Sequence, residues 1–386
     1  MPKYRMSLQV YKVETKDQVD AFHALPQRLY KNHHWYRPPF RFEVENVFDR
    51  KKNERFEKGG ECERFLVMRE GEAVGRFAVF IDPEKDESYD PKLGGIGFIE
   101  MEDDPEISIV IIDFAKNWHR DRGYAGFRGP VNFGENDTFW GILIDGFEDH
   151  NVYGMLYHHN YYENLIEETG PEKFDDLYMY QLDMKQPLPP RLVKITERLK
   201  SRENIEVRPI DKKNLSRDGE LVRQIYNRAF HDQVIKEREE EFIGISRETI
   251  RQMVKKLKPV LMPETSPIAF VKGEPASFLV SVPDLHEISA QTNGRLHWWQ
   301  LYKLIGFEKR ARKFRPLAFG TDPRFRGRGL EALVFIEGFK WTKKYYPNLK
   351  VLEGGFVSEK NWIMRRSLEA LGCEIAKTYR VYKWMV

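Results

Sequence analysis

Two local patterns recur in this chain at one common spacing, and a repeat of that size implies two similar folding units before any single element is assigned. Gly71-Glu72 lies between the apolar runs 65–68 and 77–81, and Gly273-Glu274 lies between 268–271 and 278–282. Each reads as a β-hairpin. Helical stretches led by an asparagine, 160–170 and 361–372, both end on a glycine and both precede a β-like segment, 177–182 and 378–384. The hairpin glycines stand 273 − 71 = 202 residues apart, and the helix-ending glycines 372 − 170 = 202. Coincidence between two common local patterns is the alternative; the shared offset favours duplication.

A chain of 386 residues exceeds what one hydrophobic core usually serves. The prolines of Lys185-Gln-Pro-Leu-Pro-Pro190 interrupt helix and sheet alike, and the charged stretch 191–202 after them has helical composition. The boundary therefore falls there, giving one domain over residues 1–186, a linker or helix over 187–204 and a second domain over 205–386. In the second half the spacing predicts a strand at 207–210, helices at 219–230 and 248–257, the hairpin, a strand at 317–320, a helix at 330–345, a strand at 350–352, a helix at 361–371 and a last strand. That order is mixed α/β, an α+β sheet with a hairpin first and crossover helices later.

No run of about 18 apolar residues exists, and the opening residues lack the apolar stretch of a secretory signal, so no membrane span and a cytoplasmic location are expected. Cys62 and Cys373 have no framework of further cysteines and are expected to be reduced and buried. The net charge of +3 is too small for nucleic-acid binding as a global property, so an anion site must be local. His33-His34 and His158-His159 are adjacent pairs with no completing ligand cluster, and no metal is expected.

The segment 317–330, Leu-Ala-Phe-Gly-Thr-Asp-Pro-Arg-Phe-Arg-Gly-Arg-Gly-Leu, runs strand, turn, helix. Gly327 and Gly329 let the backbone approach a ligand, and the first-turn N–H groups point outward with the positive end of the helix dipole. Arg324, Arg326 and Arg328 add full positive charge beside them.

Arg324-x-x-Gly327-x-Gly329 after a strand ending in Asp-Pro resembles the pyrophosphate signature of the GCN5-related N-acetyltransferase superfamily. A second signature follows: strand 351–353, then Ser358-Glu-Lys-Asn361, then a helix closing at Leu371-Gly372-Cys373. Together they cover 316–386, and a looser match reaches most of the second half. The resemblance implies two tandem acyl-CoA N-acyltransferase-like domains, the first degenerate, with acetyl-CoA or another acyl-CoA as donor and a small-molecule or peptide amine as acceptor. It implies splayed strands at 317–321 and 350–354 with the pantetheine arm between them. Thr321 would end the first strand, and Arg324, Phe325, Arg326, Gly327, Arg328, Gly329 and Leu330 would grip the pyrophosphate. Asn361 and Arg365 would face the cofactor. An amine would attack the thioester directly, helped by a base and an acid.

The pattern is broken where many relatives carry an acidic Tyr on the last helix, since Leu368 stands there. Tyr379, Tyr382 or Ser358 would have to replace it. Glu353, ending the second splayed strand, is the candidate base, with Glu359 behind it; neutralising Arg365 or Arg366 is an equal reading of Glu353. A non-catalytic CoA-binding protein is the alternative function. Transfer of an amino acid from aminoacyl-tRNA by a related tandem fold is disfavoured by the intact signature.

Gly327-x-Gly329-x-x-Ala332 also fits a dinucleotide fingerprint, but five positions, among them the charged Asp322, Arg324 and Arg326, separate strand from glycine and too little chain remains for an open parallel sheet. A P-loop lacks its Gly-Lys-Ser/Thr. The basic cluster Lys309, Arg310, Arg312, Lys313 and Arg315 reads as a solvated face, or as a contact to the cofactor's 3′-phosphate. Trp298-Trp299 with Tyr302, Leu304 and Ile305 reads as core, or as the wall of an acyl or acceptor pocket. In the first half, the counterpart of the glycine loop after strand 96–101 is Glu102-Asp103-Asp104-Pro105, whose three carboxylates would repel a pyrophosphate. Asn132, Glu135, Asn136 and Asp137 form a polar loop that either lines a cleft or is merely capped. The tandem layout is similar to two-domain acyltransferase-like bacterial proteins.

Overall fold

The computed structural model describes residues 7–134, 138–202, 204–237 and 244–386. Its strands are β1 (Gln9–Lys12), β2 (Glu61–Arg69), β3 (Glu72–Ile81), β4 (Leu93–Met101), β5 (Gly126–Gly129), β6 (Ile142–Asp145), β7 (Glu172–Asp183), β8 (Ile205–Pro209), β9 (Pro267–Val271), β10 (Glu274–Pro283), β11 (Lys313–Thr321), β12 (Val351–Ser358) and β13 (Glu374–Met385). They divide between two compact units, Met1–Leu177 with Ser289–Leu296 and Lys377–Val386, and Tyr178–Ile288 with His297–Ala376.

The duplication is visible in backbone angles. Glu70 and Gly71 turn the β2–β3 hairpin at φ 53° and 83°, and Lys272 and Gly273 turn β9–β10 at the same two values. These are the two left-handed residues that a tight hairpin between right-twisted strands requires. Gly170 and Gly372, also at positive φ, follow the two asparagine-led helices, Tyr161–Glu167 and Trp362–Ala370.

In the first unit the strands run β1-β2-β3-β4-β5-β13, with β6 also on β13. Helix Pro105–Arg120 buries Ile107, Ile111, Ile112, Ala115 and Trp118, one helical stripe, against Phe65, Phe77, Ile96 and Phe127 of the sheet. The boundary expected at residue 186 is corrected here. β13 pairs with β5 through Tyr382↔Gly129 and Trp384↔Phe127, and with β6 through Thr378↔Asp145, so the chain's last strand completes the first unit. Tyr382 and Trp384 are core residues there, and Arg380 is fastened to Asp176 at 2.8 Å and to Glu163 at 2.9 Å. Conversely, β7 from Tyr178 onward lies in the second unit, beside β12. The region expected as a linker or helix is the helix Pro190–Arg202, also in that unit.

In the second unit the order is β7-β12-β11-β10-β9-β8. Helix Leu215–Glu237, longer than the expected 219–230, packs Val222 and Ile225 with Ile210, Ile268 and Phe278 on one sheet face. Helix Leu330–Tyr345 packs Leu330 and Leu333 with Ile205, Val271 and Ala276 on the other. That second helix is buried on several sides, and its buried Glu337 is held by Lys200 at 2.9 Å from helix Pro190–Arg202. Of the cysteines, Cys373 is buried as expected, while Cys62 is only half-buried; both are free thiols.

Candidate functional site: two parting strands and an uncapped helix

β11 is bonded to β10 along its length, from Ser277↔Thr321 to Pro283↔Phe314. Toward β12 it is bonded only at Lys313↔Val351 and Phe314↔Leu352. The cause of the parting is local. Pro316 has no N–H to offer across the gap, and Gly354 approaches it so closely that a Cβ there would lie 2.7 Å from Pro316 Cδ. Gly355 and Phe356 then follow at φ 124° and 54°, which swings β12 away. Leu317, Ala318 and Phe319 are consequently only half-buried although their strand lies inside the sheet. The opening therefore lies between 317–321 and 355–358, a few residues later on β12 than the expected 350–354.

At the end of β11 the buried Asp322 caps the turn Pro323–Phe325. Its carboxylate accepts from the Arg324 amide at 3.0 Å, the Arg324 guanidinium at 2.9 Å and Arg228 at 2.9 Å. Burial alone would raise this carboxyl; the bonds from Arg324 and Arg228 overcome it and hold the group below the ordinary range. Gly327 (φ 74°) and Gly329 (φ 81°) occupy backbone that L side chains avoid. A Cβ on Gly327 would meet nothing within 4 Å, so the loop faces open space. Gly329 is the N-cap of helix Leu330–Tyr345, and no side chain caps it. The first-turn amides of that helix, which have no intrahelical acceptor, thus stand at an exposed loop with the positive end of the dipole.

The expected arginines are not a cluster of loose cations around this cradle. Arg324 is turned back to Asp322 and to Glu274 at 3.0 Å, Arg326 donates to the Ala229 carbonyl at 2.7 Å, and Arg324 and Arg328 lie 5.2 and 5.7 Å from the centre of the Phe325 ring. They brace the loop. Leu330 points into the core, which leaves its amide as the group available to a ligand. Thr321 shares a hydrogen bond with Ser277 at 2.8 Å.

Across the opening, Ser358 Oγ accepts from the Lys360 amide at 3.2 Å, and Asn361 Oδ1 caps helix Trp362–Ala370 by accepting from Met364 N at 3.0 Å. Arg365 donates to the Glu359 carbonyl at 3.1 Å and lies 4.7 Å over the Tyr178 ring. Glu353 is fully buried and accepts from Lys313 Nζ at 2.7 Å. Tyr379 is corrected: it lies in the first unit, buried, with its hydroxyl donating to the Leu156 carbonyl at 3.1 Å. Tyr382 is likewise in the first unit's core.

The exchange of strands supplies residues that the sequence reading missed. Tyr178 and Tyr180 of β7 face the last helix of the second unit, Tyr180 Oη lying 3.3 Å from Glu369 beside the buried Leu368. Burial raises the Tyr180 phenol, so it keeps its proton. No pattern within 160–186 signals this placement, because it depends on which sheet β7 joins.

The first unit's counterpart of the cradle is closed. Asp104 caps helix Pro105–Arg120 with its own carboxylate, accepting from Glu106 N at 3.0 Å, and Arg69 pairs with it at 2.7 Å. Glu135, Asn136 and Asp137 of the polar loop lie outside the described residues, while Asn132 Nδ2 bonds Thr138 at 3.2 Å. The core reading of the segment 298–305 is corrected, since the segment is largely exposed.

No protein-family model matches the chain. It is 28% identical over 393 residues to the "Bacterial ceramide synthase" of Caulobacter vibrioides, covering 97% of each chain. It is 25% identical over 378 residues to "Protein YghO" of Escherichia coli, covering 95% of this chain and 93% of that one. Among solved structures, it is similar to a tandem GCN5-related N-acetyltransferase protein from the clavulanic acid biosynthesis pathway, with a TM-score of 0.59, 10% identity and 98% of each chain covered. The N-acetyltransferase of this type from Sphaerobacter thermophilus superposes with a TM-score of 0.50 at 12% identity, over 98% of this chain and 95% of the other.

Proposed function

From a chain whose fold is that of the tandem GCN5-related N-acetyltransferases, we propose an acyl-CoA-dependent N-acyltransferase that joins a long acyl group to the amine of a lipid-like acceptor. The observation that carries the reading is the opening between β11 and β12, ending at the uncapped first turn after Gly329. An extended pantetheine arm needs unpaired strand backbone beside it, and a pyrophosphate needs converging amides at a positive helix end. Both lie on one strand and the loop that follows it.

In this reading the amides at 327–331 hold the pyrophosphate, and β11 from Leu317 to Thr321 lines the arm. The acceptor nitrogen attacks the thioester carbonyl carbon, the C–S bond breaks, and an amide and free CoA result. The acceptor ammonium must lose a proton to become the attacking amine, for which Glu353 is the proposed base, and the departing thiolate must gain one. Tyr180, which keeps its proton, takes the place of the acid that Leu368 cannot supply, with Ser358 the second candidate. The likeness to a bacterial ceramide synthase across nearly the whole chain supports the choice of substrates, since a ceramide is the amide of a fatty acid and a long-chain amino alcohol.

The test is calorimetric and chemical. Wild-type protein is expected to bind palmitoyl-CoA and to convert it with a long-chain amino alcohol to an amide seen by mass spectrometry. Gly327→Glu, which sets a carboxylate in the cradle at a strained backbone position, is expected to weaken binding by roughly a hundredfold. Equal binding by this variant would remove the cradle from the mechanism. Leu368, and the engagement of Glu353 by Lys313, favour a second reading as a CoA-binding protein without turnover. Any amide product dependent on Gly327 excludes it.

A further inference from the structure

The segment 297–312 of the second unit presents side chains that a protein facing only water has no reason to display. Trp298 is 78% exposed, Ile305 77% and Tyr302 63%, and Trp299 and Leu301 are exposed with them. All five lie within eight consecutive residues, mostly on the short 3-10 helix Trp298–Leu304. Exposed apolar groups scattered singly need no explanation, but five large ones in one segment do.

The segment is held in this posture. Arg310 donates to the carbonyls of Lys303 at 2.9 Å and Ile305 at 3.2 Å, which closes the loop on itself. Phe307 and Ala311 are buried and anchor it to the unit. His297 stacks on Trp299 at 4.3 Å, fixing the first aromatic pair. The apolar tips are thus displayed on a braced loop rather than left by a fraying end.

Charge identifies what would cover them. Residues 297–312 carry Lys303, Lys309, Arg310 and Arg312 against Glu308 alone. Tryptophan and tyrosine with neighbouring lysine and arginine is the composition that settles at a bilayer's headgroup level, the rings among the upper acyl chains and the cations among anionic headgroups. Among the described residues no helix is long and apolar enough to cross a membrane, so the contact is of the interfacial kind. We infer that residues 298–305 form an interfacial anchor that docks this protein on the surface of a phospholipid bilayer carrying anionic headgroups. The inference rests on exposure and charge in this segment and stands apart from the acyltransferase reading.

Co-sedimentation of the full chain with vesicles tests it. The protein is expected to pellet with phosphatidylcholine vesicles containing about 30 mol% phosphatidylglycerol and to do so much less with phosphatidylcholine alone. The triple variant Trp298→Ser, Trp299→Ser, Ile305→Ser is expected to lower that partitioning roughly tenfold or more at an unchanged melting temperature. Lys309→Gln with Arg312→Gln, which leaves the aromatics in place, is expected to weaken it severalfold and to flatten its salt dependence. Tryptophan quenching by vesicles with brominated acyl chains checks the unmutated chain, so the inference does not depend on the triple variant folding. It is overturned by failure to pellet with anionic vesicles, by absence of that quenching, or by partitioning that the triple variant leaves intact. It is equally overturned if the only effect of the triple variant is loss of a concentration-dependent dimer in sedimentation velocity, which would make a second copy the occupant.

Discussion

Lys313 and Glu353 are both buried, and their 2.7 Å contact is of the type that adds little stability when intact and costs much when one partner is removed. Glu353→Gln is therefore expected to destabilise the second unit by roughly 3–5 kcal/mol, because it removes the carboxylate charge paired with a buried ammonium. Loss of activity in that variant alone would say nothing about catalysis. The informative variant is Lys313→Met with Glu353→Leu, which should return the melting temperature to near the wild-type value. If Glu353 is the base, turnover in the double variant stays down by roughly a hundredfold or more while palmitoyl-CoA binding persists. Recovery of turnover along with stability would reduce the pair to a structural role. At this scale the glycines were legible in the sequence and the charged residues were not. Positive φ and bare backbone at Gly327 and Gly329 are properties of glycine itself, whereas Arg324 and Glu353 are defined by partners at Asp322 and Lys313 that only the folded chain supplies. Asn361 shows the same limit, since an asparagine before a helix is a cap by default, and its Oδ1 does cap the last helix.

Two helices begin at corresponding places in the two units and differ in one feature of their first turn. Pro105–Arg120 is capped by Asp104, whereas Leu330–Tyr345 begins at Gly329 without a side-chain cap. A helix that supplies its own carboxylate has satisfied the amides an external anion would use, and Asp103 and Glu102 beside it repel a second negative charge. Asp104→Ala is accordingly expected to destabilise the first unit by about 1 kcal/mol and to leave the stoichiometry and affinity of palmitoyl-CoA binding unchanged. Thermal unfolding followed by titration calorimetry measures both, and a second equivalent of bound ligand in the variant would refute the account. The contrast between the helix starts could be read from Glu102-Asp-Asp-Pro105 against Arg326-Gly-Arg-Gly329. Most elements were legible for a similar reason, because hairpin turns and helix starts are written in a few adjacent residues. The parting of β11 from β12 was placed slightly early because it is set by Pro316 meeting Gly354, a contact across strands.

At the scale of the whole molecule, the exchange of β7 and β13 makes each unit depend on chain from the other half of the sequence, an arrangement that local patterns carry no trace of, and it was this that misplaced Tyr379. The first unit also carries histidines that make it answer to acid. His158 in the first unit is fully buried, and its Nδ1 accepts from the Leu143 amide at 3.1 Å, which requires the neutral ring. Burial, then the neighbouring His159 and Arg76, lowers its pKa to about 3. His119, lowered to about 4, and His23, His33 and His159, all in the same unit, are lowered as well, each first by burial. A histidine released by unfolding takes a proton near pH 6.5, so the unfolded chain binds more protons than the folded one below that pH. The stabilising contribution is therefore complete above pH 6.5 and is lost as pH falls toward the folded value, at about 1.4 kcal/mol per unit for His158 alone. Between pH 7 and pH 5 the first unit is expected to lose roughly 2 kcal/mol through His158, with further loss through the other four. Hydrogen exchange read separately for β3 to β5 and for β9 to β11 checks this, since opening of the first set should become easier by at least roughly tenfold over that range. His158→Gln, neutral at every pH, should remove roughly 2 kcal/mol of that loss and leave the part due to the other histidines, whatever it does to stability at pH 7. If the first unit's protection is as great at pH 5 as at pH 7, the ring is not being held neutral by burial, and the assignment of acid sensitivity to this unit fails.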